Sequence, residues 1–204
     1  ERLGLGPGET THTAVLIVDF NRDGHVDILL GRYPTSRVLL GRGDGTFERR
    51  NFQLQDPGMS KRWVISSMTA HGVDRDGLMD VFIGGHGLDG DPGPNSPTDA
   101  DNGFPNRMFK GLPDAQFQDV TEDWGLDAEG TRWCLAASFH DFDGDGDNDL
   151  YVANDFGRNV IYRRSGSPGE PVFTAEVEDP STASTGFSMS STFADLDGDL
   201  DLDM

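Results

Sequence analysis

Four acidic nonapeptides punctuate this chain, at residues 19–27 (DFNRDGHVD), 72–80 (GVDRDGLMD), 141–149 (DFDGDGDND) and 195–203 (DLDGDLDLD). Each of the first three runs into β-branched and aromatic residues bounded by Gly or Pro, as in residues 79–86 (MDVFIGGH), so the loop is expected to join two strands. Oxygen ligands at positions 1, 3, 5 and 9 of a tight loop converge on one point, a backbone carbonyl joins them at position 7, and such a set suits a hard cation. The expected ion is Ca²⁺, one per loop and about four in all.

By position, the ligands are Asp19, Asn21, Asp23, the His25 carbonyl and Asp27 in the first loop, and Asp141, Asp143, Asp145, the Asp147 carbonyl and Asp149 in the third. Gly72 stands at position 1 of the second loop, which leaves Asp74, Asp76, the Leu78 carbonyl and Asp80 and predicts the weakest site. The fourth offers Asp195, Asp197, Asp199, the Asp201 carbonyl and Asp203. Its glycine is Gly198 at position 4, and Leu200 stands at position 6, where the sharp turn favours glycine. An EF-hand is excluded because Leu30, Ile83 and Val152 occupy position 12, where that motif needs a bidentate Glu. The single Cys134 excludes a cysteine-paired calcium repeat, and its apolar setting in residues 133–137 (WCLAA) predicts a packed thiol.

A strand-like run precedes each loop, at residues 13–20, 63–70, 133–142 and 187–196. A third and a fourth strand are expected around 37–40 and Phe47, 106–110 and Phe117, and 159–163 and Phe173. Four short strands per repeat without helical periodicity predict an all-β fold of β-propeller blades, each a four-stranded antiparallel sheet with the acidic loop between its first two strands. The units fall at about 10–58, 59–127, 128–180 and 181–204, which makes one partial propeller domain over 1–204 with three complete blades and one truncated blade. The pair Asp44-Gly45 predicts a type I′ hairpin turn between the third and fourth strands.

The second unit is lengthened by a Gly-, Pro- and Asp-rich segment over 87–105, read as a surface loop, either for recognition or as a plain insertion. Asp89, Asp91, Asp99 and Asp101 within it are candidate ligands of an extra cation. The EDWGL at 122–126, upstream of the third loop, is echoed by ERLGL at 1–5 upstream of the first, and Met204 directly follows the last acidic residue. Both ends are therefore expected to interrupt a repeat, with the chain belonging to a longer polypeptide or completed by another segment at an open sheet edge.

A formal charge of −20, from 16 Lys and Arg against 36 Asp and Glu, argues against nucleic acid as a partner, because such binding relies on cations that neutralise phosphates. Much of that acidity lies at the ligand positions, and folding is expected to depend on calcium. No stretch approaches the ~20 apolar residues of a membrane span, so no membrane insertion is expected, and no signal peptide is visible. Sites of this kind fill most readily at extracellular calcium concentrations, which predicts an extracellular or cell-surface location.

The pattern D-x-[DN]-x-D-G-x-x-D followed by an apolar strand resembles the FG-GAP or VCBS repeats of integrin α-type β-propellers. More narrowly, residues 106–125 (NRMFKGLPDAQFQDVTEDWG), 141–149 and 151–159 (YVANDFGRN) are similar to repeats of the cartilage acidic protein family and its secreted bacterial relatives of the ASPIC/UnbV type. The resemblance implies a calcium-binding extracellular scaffold that mediates protein or glycan binding or adhesion. Catalytic residues are not assigned, since the chain has no G-x-S-x-G, no H-E-x-x-H and no phosphate-cradling glycine loop. His140, beside Asp141, is expected to pack or to orient the loop, and Arg42-Gly43-Asp44 matches an integrin-binding tripeptide but falls inside the predicted hairpin turn. Two alternatives stay open: a carbohydrate-active enzyme of the polysaccharide lyase type on the same propeller, and a self-assembling surface or filament subunit that completes its interrupted blades between neighbours.

Overall fold

Successive side chains of a strand point to opposite faces, so a strand that is apolar at every position is one buried on both sides. Val81, Phe82 and Ile83 are such a run, and all three are buried. Val81 and Ile83 enter one core cluster with Phe20, Leu29, Val38 and Phe109, whereas Phe82 enters a second with Met108, Leu150 and Tyr162. The middle sheet is therefore sandwiched between two others.

The computed structural model describes residues 12–32, 35–53, 64–87, 93–126, 130–177 and 187–198. Among them are twelve strands in three antiparallel sheets of four, each in chain order. The first blade holds β1 (Ala14–Val18), β2 (Asp27–Gly31), β3 (Thr35–Gly41) and β4 (Phe47–Gln53). The second holds β5 (Val64–His71), β6 (Asp80–His86), β7 (Arg107–Leu112) and β8 (Gln116–Asp119). In the third are β9 (Trp133–His140), β10 (Asp149–Asp155), β11 (Val160–Ser167) and β12 (Glu170–Val177). The first strands lie side by side, β1 against β5 and β5 against β9, the arrangement of propeller blades around an axis. Each acidic loop connects the first strand of its blade to the second, and the register Val18↔Asp27, His71↔Asp80 and His140↔Asp149 brings the strand end before the loop opposite its ninth residue.

Blade faces approach closely at Gly84 of β6, where a Cβ would overlap the Cys134 sulfur of β9. Cys134 is fully buried there, a packed thiol as its apolar neighbours imply.

Two sequence expectations need correction. The β3–β4 connection is not a two-residue type I′ turn, because the strands stop at Gly41 and Phe47 and leave residues 42–46 between them. Gly43 and Gly45 take the left-handed conformation, with φ 74 and 84, and Asp44 between them does not. Asp44 instead accepts the Thr46 amide and hydroxyl, at 2.9 and 2.6 Å. The predicted strand at 187–196 is also absent among the described residues, which show only an isolated bridge at Ala194. A strand needs a hydrogen-bonding partner, and in the other units that partner is the run after the loop; here residues 199–204 lie outside the described residues. Outside them too are residues 1–5, Asp89 and Asp91.

Candidate metal centre

Short acidic side chains fold their own backbone by accepting amides two residues on, and a series of them winds a loop around its carboxylates. In the third loop Asp143 Oδ1 accepts the Asp145 amide at 3.2 Å and Asp145 Oδ1 the Asp147 amide at 2.8 Å. Asp141 takes the Gly144 and Gly146 amides at 2.8 and 2.9 Å. The first loop repeats the pattern: Asn21 Oδ1 accepts the Asp23 amide (3.1 Å), Asp23 Oδ1 the His25 amide (2.8 Å) and Asp19 Oδ2 the Gly24 amide (2.9 Å). In the second, Asp74 and Asp76 accept the Asp76 and Leu78 amides at 3.0 and 2.8 Å. Gly72 has no side chain for the remaining bond, and its carbonyl accepts the Arg75 amide at 3.3 Å. The described part of the fourth loop starts the same way, with the Gly198 amide on Asp195 at 2.6 Å.

The winding needs left-handed backbone twice. Position 6 has φ 85, 92 and 89 at Gly24, Gly77 and Gly146, and position 4 has φ 60, 62, 75 and 83 at Arg22, Arg75, Gly144 and Gly198. Gly198 is therefore well placed at position 4 of the fourth loop. Leu200, Asp199, Asp201 and Asp203 lie outside the described residues.

The ninth residue of each of the first three loops is fully buried and hydrogen-bonds to two other parts of its blade. Asp27 accepts the amides of Phe20 (2.9 Å) and Gly41 (2.8 Å). Asp80 accepts those of Val73 (2.7 Å) and Gly111 (2.9 Å), and Asp149 those of Phe142 (3.4 Å) and Arg164 (2.7 Å). Burial pushes Asp27 and Asp149 above the ordinary carboxylate value and Asp80 up to about 7, against the opposing pull of these donors. Gly41 and Gly111 let the third strand come this close, since a Cβ on either would overlap a backbone carbonyl oxygen, that of Val26 or of Met79.

Whether a cation fits depends on which acids remain open. In the third loop, ligand oxygens of Asp141, Asp143 and Asp145 all lie within 4.8 Å of one another, and among the described residues no Lys or Arg pairs with them. Asp149 is outside that group and binds Arg163 Nη1 at 2.9 Å, while the Asp147 side chain is taken by Arg75 and Arg164. The first loop contains a buried polar atom without a hydrogen-bond partner, Asp19 Oδ1. The three mutually close acids of the third loop could hold a small cation, and the first loop offers one orphaned buried carboxylate oxygen to such an ion. In the second loop Lys110 Nζ already contacts Asp74 and lies 3.3 Å from Asp76, and the position-1 acid is missing, so the residues present do not fit the same ion.

A family model for the FG-GAP-like repeat matches the sequence three times, at residues 19–83, 72–152 and 141–204, each match running from one acidic loop into the next. The chain belongs to the FG-GAP-like repeat family. No curated protein matches it. Each match begins at the first residue of an acidic loop, and the three described blades carry those loops between their first and second strands.

The remaining sequence candidates have structural occupations. Asp99 in the insertion is bound by Arg132 (2.8 Å) and Arg158 (3.2 Å), and Asp101 accepts Asn95 Nδ2 at 2.7 Å, so these two described acids already have partners. The insertion packs on the third blade, with the Ala100 amide on the Phe156 carbonyl (2.8 Å) and Asn102 accepting Trp133 Nε1 (3.1 Å). His140 packs against Phe193 with the rings tilted and their centroids 4.2 Å apart. Arg42 pairs with Glu48 at 3.5 Å. Sequence reasoning missed Lys110, Arg163, Arg164 and Arg75; for the first three the signal was a basic residue just ahead of, or in place of, the third-strand residue that donates to the ninth-position carboxylate, whereas Arg75 stands at position 4 of the second loop.

Proposed function

We propose that this FG-GAP-like chain is an extracellular, calcium-stabilised binding or adhesion scaffold. The supporting observations are Asp19 Oδ1 of the first loop, buried without a hydrogen-bond partner, and the ligand oxygens of Asp141, Asp143 and Asp145 in the third, all within 4.8 Å of one another. Asp19, Asn21, Asp23 and the His25 carbonyl would hold one ion, and Asp141, Asp143, Asp145 and the Asp147 carbonyl another. A bound Ca²⁺ supplies positive charge that offsets carboxylate repulsion and fixes the hairpin between the first two strands. The scaffold would use its loops to hold a protein or glycan, which agrees with the location typical of FG-GAP repeats and with the fact that no helix among the described residues is long and apolar enough to cross a membrane.

Calcium titration with thermal melting tests the reading. Asp145→Ala is expected to remove about one ion and to lower the melting temperature in calcium but not in chelator, whereas Asp123→Asn on an exposed turn leaves both unchanged. Equal behaviour of the two variants, or a wild type that melts identically with and without chelator, contradicts it.

A further inference from the structure

The three blades can be superposed residue by residue on the amide that reaches the ninth-position carboxylate: Gly41 on Asp27, Gly111 on Asp80 and Arg164 on Asp149. The residue before it is then Leu40, Lys110 or Arg163. Leu40 is buried and uncharged, so the first blade brings no cation from this position to its loop. Arg163 turns to Asp149 (2.9 Å) and Glu176 (2.9 Å) and leaves Asp141, Asp143 and Asp145 open. Lys110 alone reaches the positions 3 and 5 where an ion would sit, touching Asp74, whose side chain is fully buried, and lying 3.3 Å from Asp76. A buried carboxylate requires a compensating charge, and two cations do not share one small cage.

We propose that Lys110 is the permanent cation of the second loop, which therefore takes no calcium. The inference rests on the calcium reading of the other loops and adds to it a division of labour. The outer blades are tied by an ion that can be withdrawn, and the middle blade is tied by a side chain that cannot. Since β6 packs into both core clusters, the metal-independent hairpin lies at the one place that contacts both neighbours.

Equilibrium dialysis against radiolabelled calcium, with hydrogen exchange of the wild-type chain, tests it. Restoring the first-blade pattern with Gly72→Asp and Lys110→Leu together should add one calcium per chain. In chelator the Phe20 and Phe142 amides, which bond Asp27 and Asp149, should exchange at least about tenfold faster, while the equivalent Val73 amide on Asp80 keeps its protection. A folded double variant with no extra ion, or a Val73 amide that opens in step with the other two, overturns the inference and leaves the calcium reading intact. A wild type that binds no calcium beside a double variant that binds one overturns the functional reading and leaves the role of Lys110 standing.

Discussion

Asp80 and Gly111 illustrate how much of a blade depends on single atoms. The Gly111 amide donates to Asp80 at 2.9 Å, and in this blade a Cβ on Gly111 would overlap the Met79 carbonyl oxygen. Gly111→Ala should therefore cost about 1–3 kcal/mol by forced backbone displacement, read as a lower midpoint in urea with an unchanged slope. Opposed by Asp80, whose raised pKa favours the folded chain as pH falls below about 7, His71 carries one part of the pH dependence at this scale. Burial, with Arg75 adding to it, holds its pKa below the ordinary 6.5. Because the unfolded chain binds the proton more readily, this contribution is present above pH 6.5 and is lost as pH falls below it. Replacing His71, which packs on Phe139 at 5.5 Å, with Phe should remove this share of the stability loss below pH 6.5, read from denaturant midpoints across pH. The spacing of the acids was legible because ligands of one loop are close in sequence. Lys110 was not, since it meets Asp74 across 36 residues and only the paired strands bring them together.

Strands were legible wherever apolar residues alternate or run continuously, since burial on one face or both is written directly into that pattern. Turn geometry was not: the Asp-Gly rule presumes a two-residue hairpin, and here the ladder between β3 and β4 ends earlier, so the left-handed positions move to Gly43 and Gly45. Position 4 of the acidic loops was equally hidden, because Arg22 and Arg75 occupy a conformation that their residue type does not advertise. The packing of β6 against β9 makes its own prediction. Burial pushes the Cys134 thiol up to about 12, and Gly84 seals it, so thiol reagents at pH 8 should leave the native chain unlabelled and react fully once it is unfolded. Labelling at the native rate of a small free thiol would mean that the two blades part.

Across the whole molecule the formal charge of −20 opposes compaction, and bound calcium would reduce it. In chelator, raising the salt from about 10 mM to 500 mM should raise the melting temperature by several degrees, because the screening length shrinks from about 30 Å to a few ångströms. In calcium the same change should do much less, and a salt response equal in both buffers would show that the loops are not where the repulsion lies. The blade architecture was legible as a repeat, but the contacts between blades were not, because they join loops far apart in sequence. Among those contacts, the Arg22 guanidinium lies over Gly77, and Arg75 donates to the Gly146 carbonyl at 3.1 Å. Both side chains leave position 4 of one loop and end at position 6 of the next, always toward the carboxyl terminus. The loops are thereby bridged one way only, the first two each lending an arginine to a successor, and Gly144, with no side chain to extend, lends none.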